Sequence, residues 1–288
     1  MSEPAIQLWL DTASITIRNV VCSGECRHKS AEEHARSTHL VFPYRGVYVR
    51  HVGREDSVAE ANQLLFFNAD EGYRISHPIA GGDACLSLAI DESVLREVTP
   101  LDQLSAGAAP VFRRQRVRID SEAQTLVALL RHRLAQQAAD TLEAETLALT
   151  LVRRCLGQQA SPSQARGAAN RQKLVNRAKL VLTSNLARRW TLAEVAVEVG
   201  VSPVYLTQVF QQLEGMPLYR YQLRLRLAKA LDLLSHSTDL TTLGMHLGFS
   251  SHSHFSAAFR QAYGRTPVEI QRTLRRPGMF IAKVSSIR

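Results

Sequence analysis

The sequence predicts an α+β chain of two units, a strand-rich N-terminal half closed by a pair of helices and a C-terminal half built only of helices. Three observations predict it. Short runs of β-branched and aromatic residues, separated by Gly, Asn and Asp, fill residues 5–100. From Ser121 the apolar residues switch to helical spacing. Near the C-terminus the chain says nearly the same thing twice, 48 residues apart, and each copy reads as a helix, a glycine turn and a second helix.

Residues 40–49 (LVFPYRGVYV), 63–67 (QLLFF) and 84–90 (ACLSLAI) are the clearest strands, set apart by Gly53, Asn68, Asp70, Gly81 and Gly82. Several short strands at this spacing predict a sandwich or small barrel. Leu126, Leu129, Leu130 and Leu134 then mark one helix, and Leu142, Thr146, Leu149 and Val152 a second. A short connection makes these two an antiparallel pair, whose stripe covers the β unit or meets a second copy of the chain. Residues 158–170 hold Pro162 and no large apolar group, which predicts a linker. The expected division is a first domain over 1–157, the linker, a helical domain over 171–276 and a loose tail over 277–288.

A chain of 288 residues has room for two ordinary domains, and 45% hydrophobic with 21% charged residues is a globular composition. No apolar run is long enough to predict a membrane span, and the N-terminus carries no signal-peptide pattern. Four cysteines in such a chain predict reduced thiols and a cytoplasmic setting. The net charge of +9 is uneven: residues 1–167 hold 18 Lys+Arg against 20 Asp+Glu, and residues 168–288 hold 17 against 6. All the excess positive charge therefore travels with the repeat, where it can displace condensed cations from a phosphate backbone.

In the first copy, Thr191 and Glu194 make a capping box, Gly200 suits a left-handed helix end, and Ser202 with Pro203 starts the next helix. Leu206, Val209 and Phe210 then face inward, leaving Val204, Thr207 and Gln208 outside. In the second copy, Asp239 caps, Gly248 turns, Ser250 or Ser251 caps again, and Phe255 and Phe259 pack. Its outer face is His252, Ser253, Ser256 and Ala257. Gly244 replaces Ala196, and both are small where two helices cross. On a helix-turn-helix, the outer N-terminal face of the second helix meets base edges. The readers of bases are thus expected to be Val204, Thr207, Gln208, His252, Ser253 and Ser256. The phosphate contacts are expected at Ser202, Ser250, Ser251, Arg260 and Arg265. Residues 218–234 form one helix between the copies, with Leu223, Leu227, Leu231 and Leu234 at helical spacing. A stiff rod between two heads suits adjacent major grooves about 34 Å apart.

The stretch Gly248-Phe-Ser-Ser-His-Ser-His-Phe-Ser-Ala-Ala-Phe-Arg-Gln-Ala-Tyr-Gly-Arg-Thr-Pro267 resembles the signature G-F-x-[ST]-x-S-x-F-x-x-x-F-[KR]-x-x-[FY]-G-x-[ST]-P of the AraC/XylS family of bacterial transcription regulators. Residues 221–234 resemble that family's linking helix. The resemblance spans residues 170–276 and implies a seven-helix DNA-binding domain. It also implies an N-terminal sensor and dimerisation domain, a cupin-like β-barrel followed by helices. Three departures stand out. The first copy leaves through Leu213-Glu-Gly-Met-Pro217, one residue shorter than the family's turn; Gln208 stands where many members carry arginine; and Val204 and Ala257 are apolar.

The resemblance further implies a small-molecule effector, for which the polar residues among the strands are the expected contacts: Arg45, Tyr48, His51, Tyr73 and His77. Arg45 and Arg74 would suit a carboxylate. Cys22, Cys26, His28, His34 and His39 form a soft-ligand cluster in sequence, but C-x3-C-x-H matches no metal signature. No metal, no cofactor and no catalytic residue are therefore expected. The expected partners are double-stranded DNA, an effector, RNA polymerase and a second copy through helices 121–155. The competing readings are an effector-independent nucleoid binder and a DNA-repair methyltransferase; the second needs a reactive-cysteine motif or a four-cysteine zinc site, and the sequence shows neither.

Overall fold

The computed structural model describes residues 4–24, 27–105, 107, 110–157 and 168–275. The expected tail and most of the expected linker lie outside the described residues. The N-terminal half contains a pair of antiparallel sheets. The larger has the order β1 (Ala5–Asp11), β2 (Ile15–Cys22), β9 (Asp83–Ile90), β4 (His39–Gly46), β7 (Gln63–Phe67), β10 (Arg116–Arg118). The smaller has the order β3 (Glu33–His34), β8 (Gly72–Ser76), β5 (Tyr48–Val52), β6 (Glu55–Ala59).

The expected barrel does not close: the large sheet ends at β1 and β10, and the two sheets stack. Alternation along the strands shows why. Leu64 and Phe66 join Leu40, Phe42, Leu86 and Leu88 in a core beneath the helices. Their neighbours Leu65 and Phe67 join Val41, Tyr48, Ala59 and Cys85 between the sheets. A sheet covered on both faces reads as continuous apolar sequence, which is the pattern of residues 63–67.

Helix α1 (Glu92–Val98), α2 (Ser121–Ala135) and α3 (Thr141–Gly157) cover the outer face of the large sheet. Leu126, Leu130 and Leu134 are buried there, and Leu129 turns the other way, into the core of the C-terminal helices. The leucine stripe is thus consumed within one chain: of its two expected roles, covering the β unit or meeting a second copy, Leu126, Leu130 and Leu134 take the first. On α3 the buried face is Ala144, Ala148, Leu151, Val152 and Cys155, while Leu142 is 73% exposed. The two alanines let α3 lie close to α2, which rotates the expected Leu142–Thr146 line toward solvent.

Seven helices follow: α4 (Ala168–Ser184), α5 (Leu192–Val199), α6 (Pro203–Glu214), α7 (Leu218–Leu233), α8 (Leu240–His246), α9 (His252–Tyr263) and α10 (Pro267–Arg275). They share two cores. One holds Val195, Leu206 and Phe210 with Leu218, Tyr221 and Leu225 from the first half of α7. The other holds Leu243, Phe255 and Phe259 with Leu227, Ala230 and Leu231 from its second half. Burying each of these phenylalanines contributes about 1.5–3 kcal/mol. Helix α7 therefore serves both helix-turn-helix units along its length of about 24 Å.

The N-terminal half rests on the same rod. Asp232 of α7, 3% exposed, accepts from Arg45 Nε at 3.0 Å and pairs with Arg131 Nη1 at 2.8 Å. Tyr221 Oη donates to Glu60 Oε1 at 2.6 Å. Arg224 Nη2 donates to the Ile119 carbonyl at 2.8 Å, and Asn176 Nδ2 to the Asp56 carbonyl at 2.6 Å. Buried Lys179 of α4 lies 2.7 Å from Glu214 of α6, with Arg116 of β10 at 3.7 Å.

Candidate nucleic-acid interface

The first unit is built as its residues dictate. Thr191 accepts from the Glu194 backbone N–H while Glu194 accepts from the Thr191 N–H, a full capping box. The Thr191 backbone and then the Arg188 guanidinium hold the Glu194 carboxyl down to about 2. Gly200 ends α5 at φ +74°, Ser202 caps α6 by accepting from the Tyr205 N–H, and Pro203 opens it. In the second unit Asp239 caps α8 and Ser251, not Ser250, caps α9. Gly248 turns at φ +84°, where a side chain would collide with the Ala187 carbonyl. A Cβ on Gly244 would stand 3.0 Å from Phe255 Cβ, so α8 and α9 cross at touching distance, as the small residue predicts.

The exits differ. Gly215 and Gly264 both end their recognition helices in the left-handed region. After the longer turn, Thr266 and Glu269 form a capping box for α10. After the shorter one, Pro217 sits at the cap of α7 with no side-chain hydrogen bond. The missing residue costs α7 its side-chain cap.

The outer faces carry the expected residues. Val204 is 67% exposed and Gln208 is exposed on α6; His252, Ser253 and Arg260 are exposed on α9. Thr207 is half-buried and donates its hydroxyl back to the Pro203 carbonyl at 2.9 Å. Ser256 is half-buried, its hydroxyl 3.2 Å from His252 Nε2, so these two act as one polar pair. The Ser202 and Ser251 hydroxyls are engaged as caps, and the Ser250 hydroxyl lies 3.0 Å from His254 Nδ1. Arg265 is half-buried and set back toward Glu269. Two outer residues lie beyond the expected set: Tyr205, 45% exposed beside Val204, and His254 beside Ser253. Helical periodicity puts both on the outer arc, although an aromatic residue reads first as core and the second histidine of H-x-H as facing away.

The five expected effector contacts do not converge. Arg45 is bound to Asp232, His51 lies between Asp56 (2.6 Å) and Ser76 (2.8 Å), and Tyr73 donates to Glu33 at 3.1 Å. Tyr48 and His77 are buried between the sheets with ring centroids 6.2 Å apart. Arg74 pairs with Glu32 at 3.0 Å. A small, shallow cleft opens instead where the two halves meet, lined by Tyr44, Gln124, Arg131, Leu231 and Asp232 among others. The soft-ligand cluster is also dispersed. His28 and His34 are exposed, His39 stacks on Phe67, and Cys26 lies outside the described residues.

Residues 195–273 match a family model described as a helix-turn-helix domain. The HTH-type transcriptional regulator ArgR of Pseudomonas aeruginosa is 34% identical over 135 residues, 46% of this chain and 40% of that protein. The HTH-type transcriptional activator RhaS of Klebsiella pneumoniae is 31% identical over 153 residues, 51% of this chain and 55% of that protein. The chain thus spans about half the length of these relatives. A solved transcriptional regulator from Chromobacterium violaceum, with an AraC-type DNA-binding domain, is 32% identical over 38% of this chain and 99% of its own, at a TM-score of 0.36. With two capped helix-turn-helix units on one rod, the signature over residues 248–267 and the likeness to ArgR and RhaS, the C-terminal half of the chain is a helix-turn-helix domain of the AraC/XylS type.

Proposed function

We propose that the protein binds double-stranded DNA sequence-specifically through α6 and α9 and regulates transcription in response to a small molecule. The observation that carries the reading is the pair of exposed, capped recognition helices seated on the two halves of α7, in the segment that holds all the excess positive charge. Gln208 and the His252–Ser256 pair supply hydrogen bonds to base edges, and Val204 offers an apolar surface to thymine methyls. Arg260 serves a phosphate. The relatives carry names of transcriptional regulators, which supports a non-enzymatic role. No described helix is long and apolar enough to cross a membrane.

Control by an effector would act through the contacts that tie the N-terminal half to α7. An anion reaching the cleft beside Arg131 would compete with Asp232 for that cation. A second copy, if it joins, uses a surface other than the buried Leu126–Leu130–Leu134 line. The test is selection of binding sites from random duplexes by the full-length protein, followed by salt titration on the selected and on scrambled sites. An enriched motif with two half-sites one helical turn apart supports the reading. Equal affinity for both duplexes returns it to a structural binder without sequence preference.

A further inference from the structure

Strand pairing and sheet stacking bring together residues that the sequence keeps far apart. Cys22 ends β2 and pairs with Asp83, which begins β9. His77 follows β8 in the other sheet. One ligand atom from each of Cys22, His77 and Asp83 lies within 4.8 Å of the other two. His77 and Asp83 are buried, at 3% and 7% exposure, and Cys22 is half-buried, which leaves an ion a way in. Cys85, two residues along β9 on the same face as Asp83, places a second sulfur 3.4 Å from Asp83 Oδ2.

Two further observations point to a ligand. His77 Nε2 lies 2.6 Å from Asp83 Oδ1, yet Nδ1 of the same buried ring has no hydrogen-bond partner among the described residues. It is Nε2 that faces the carboxylate, so this nitrogen, with Asp83 and Cys22, is the one placed to take an ion. The backbone is also set in advance. Gly82, at φ +68°, lies so close to the Cys22 carbonyl that a Cβ there would collide with it, so only glycine lets the end of β2 and the start of β9 approach this closely.

We propose that Cys22, His77 and Asp83, with Cys85 beside them, form a zinc site that staples the two sheets together. Sulfur, imidazole and carboxylate together are the donor set of zinc. Bonds of about 2.0–2.3 Å put tetrahedral ligands about 3.3–3.8 Å apart, so a shift of about 1 Å gathers the three. Spacing along the chain hides the site: no two of the three ligands share a strand.

The test uses full-length protein expressed with zinc, dialysed, and assayed for bound metal by mass spectrometry, with cobalt substituted in parallel. One zinc per chain is expected, together with a thiolate-to-cobalt charge-transfer band in the near ultraviolet. Cys22→Ser and His77→Gln should weaken zinc binding by about tenfold or more. Chelator should lower the unfolding midpoint of the wild type and leave that of Cys22→Ser unmoved; the wild-type chelation arm stands even if a variant fails to fold. Zinc retained equally by Cys22→Ser, no zinc on the wild type, or a Cys22–Cys85 disulfide in place of metal uptake would each overturn the proposal.

Discussion

Tyr221 Oη donates a 2.6 Å hydrogen bond to Glu60, and both residues are buried, at 0% and 1% exposure, although 161 positions separate them. Tyr221 belongs to the rod of the helix-turn-helix domain and Glu60 to the turn between β6 and β7. The bond therefore crosses the boundary between the two halves. Tyr221→Phe keeps the packing and leaves the carboxylate short of a donor. Denaturant unfolding of the full chain should show a loss of about 1–3 kcal/mol.

Lys179 and Glu214 are fully buried and 2.7 Å apart. Burial pushes the Glu214 carboxyl up, and the Lys179 and Arg116 cations outweigh it, leaving the carboxyl below the usual range. Removing one partner strands a buried charge, so Lys179→Met should destabilise by about 3–5 kcal/mol. Lys179→Met with Glu214→Leu should recover most of that loss, as read by urea midpoints.

A Cβ on Gly244 would stand 3.0–3.1 Å from the Phe255 side chain, tighter than ordinary contact, so anything larger forces Phe255 aside. Gly244→Leu should cost about 1–3 kcal/mol by overpacking the crossing of α8 and α9. DNA affinity measured by fluorescence anisotropy should fall with it, while Gly53→Leu, which meets nothing within 4 Å, serves as a distant control for volume though not for its left-handed φ.

On DNA, Arg260→Ala should weaken all sequences alike and reduce the salt slope by about 1. His252→Ala and Gln208→Ala should each cost about 1–3 kcal/mol at particular bases and relax preference there. Anisotropy titrations on a selected site and its single-base variants separate the two behaviours. Equal losses on every variant for His252→Ala would remove it from base reading.

Glu194 gives a pH signature. Its carboxyl is held at about 2 in the fold against 4.5 for the free group, so its stabilising effect is present above 4.5 and disappears as pH falls toward 2. Thermal midpoints of the wild type and Glu194→Gln should differ at neutral pH and converge on acidification.

The helix-turn-helix domain is legible in the sequence because its rules are local. Thr191 with Glu194, Ser202 with Pro203, and Gly200 each determine their own turn, and all behave as their spacing predicts. The N-terminal half is less legible because its outcome depends on what covers each face. Residues 63–67 announce a strand, but only the structure shows Leu64 and Leu65 entering different cores. Leu126 and Leu129 read as one stripe, and they pack against different partners. The expected effector contacts fail for the same reason: residue type and strand membership do not say which face a side chain takes, or that Arg45 is claimed by Asp232.

Because both reading heads are seated on α7, and Arg45, Arg131 and Glu60 hold that same helix, a signal passing from the N-terminal half through α7 reaches both heads together. On that route a small molecule should alter how often a duplex site is filled without altering which half-site spacing is chosen.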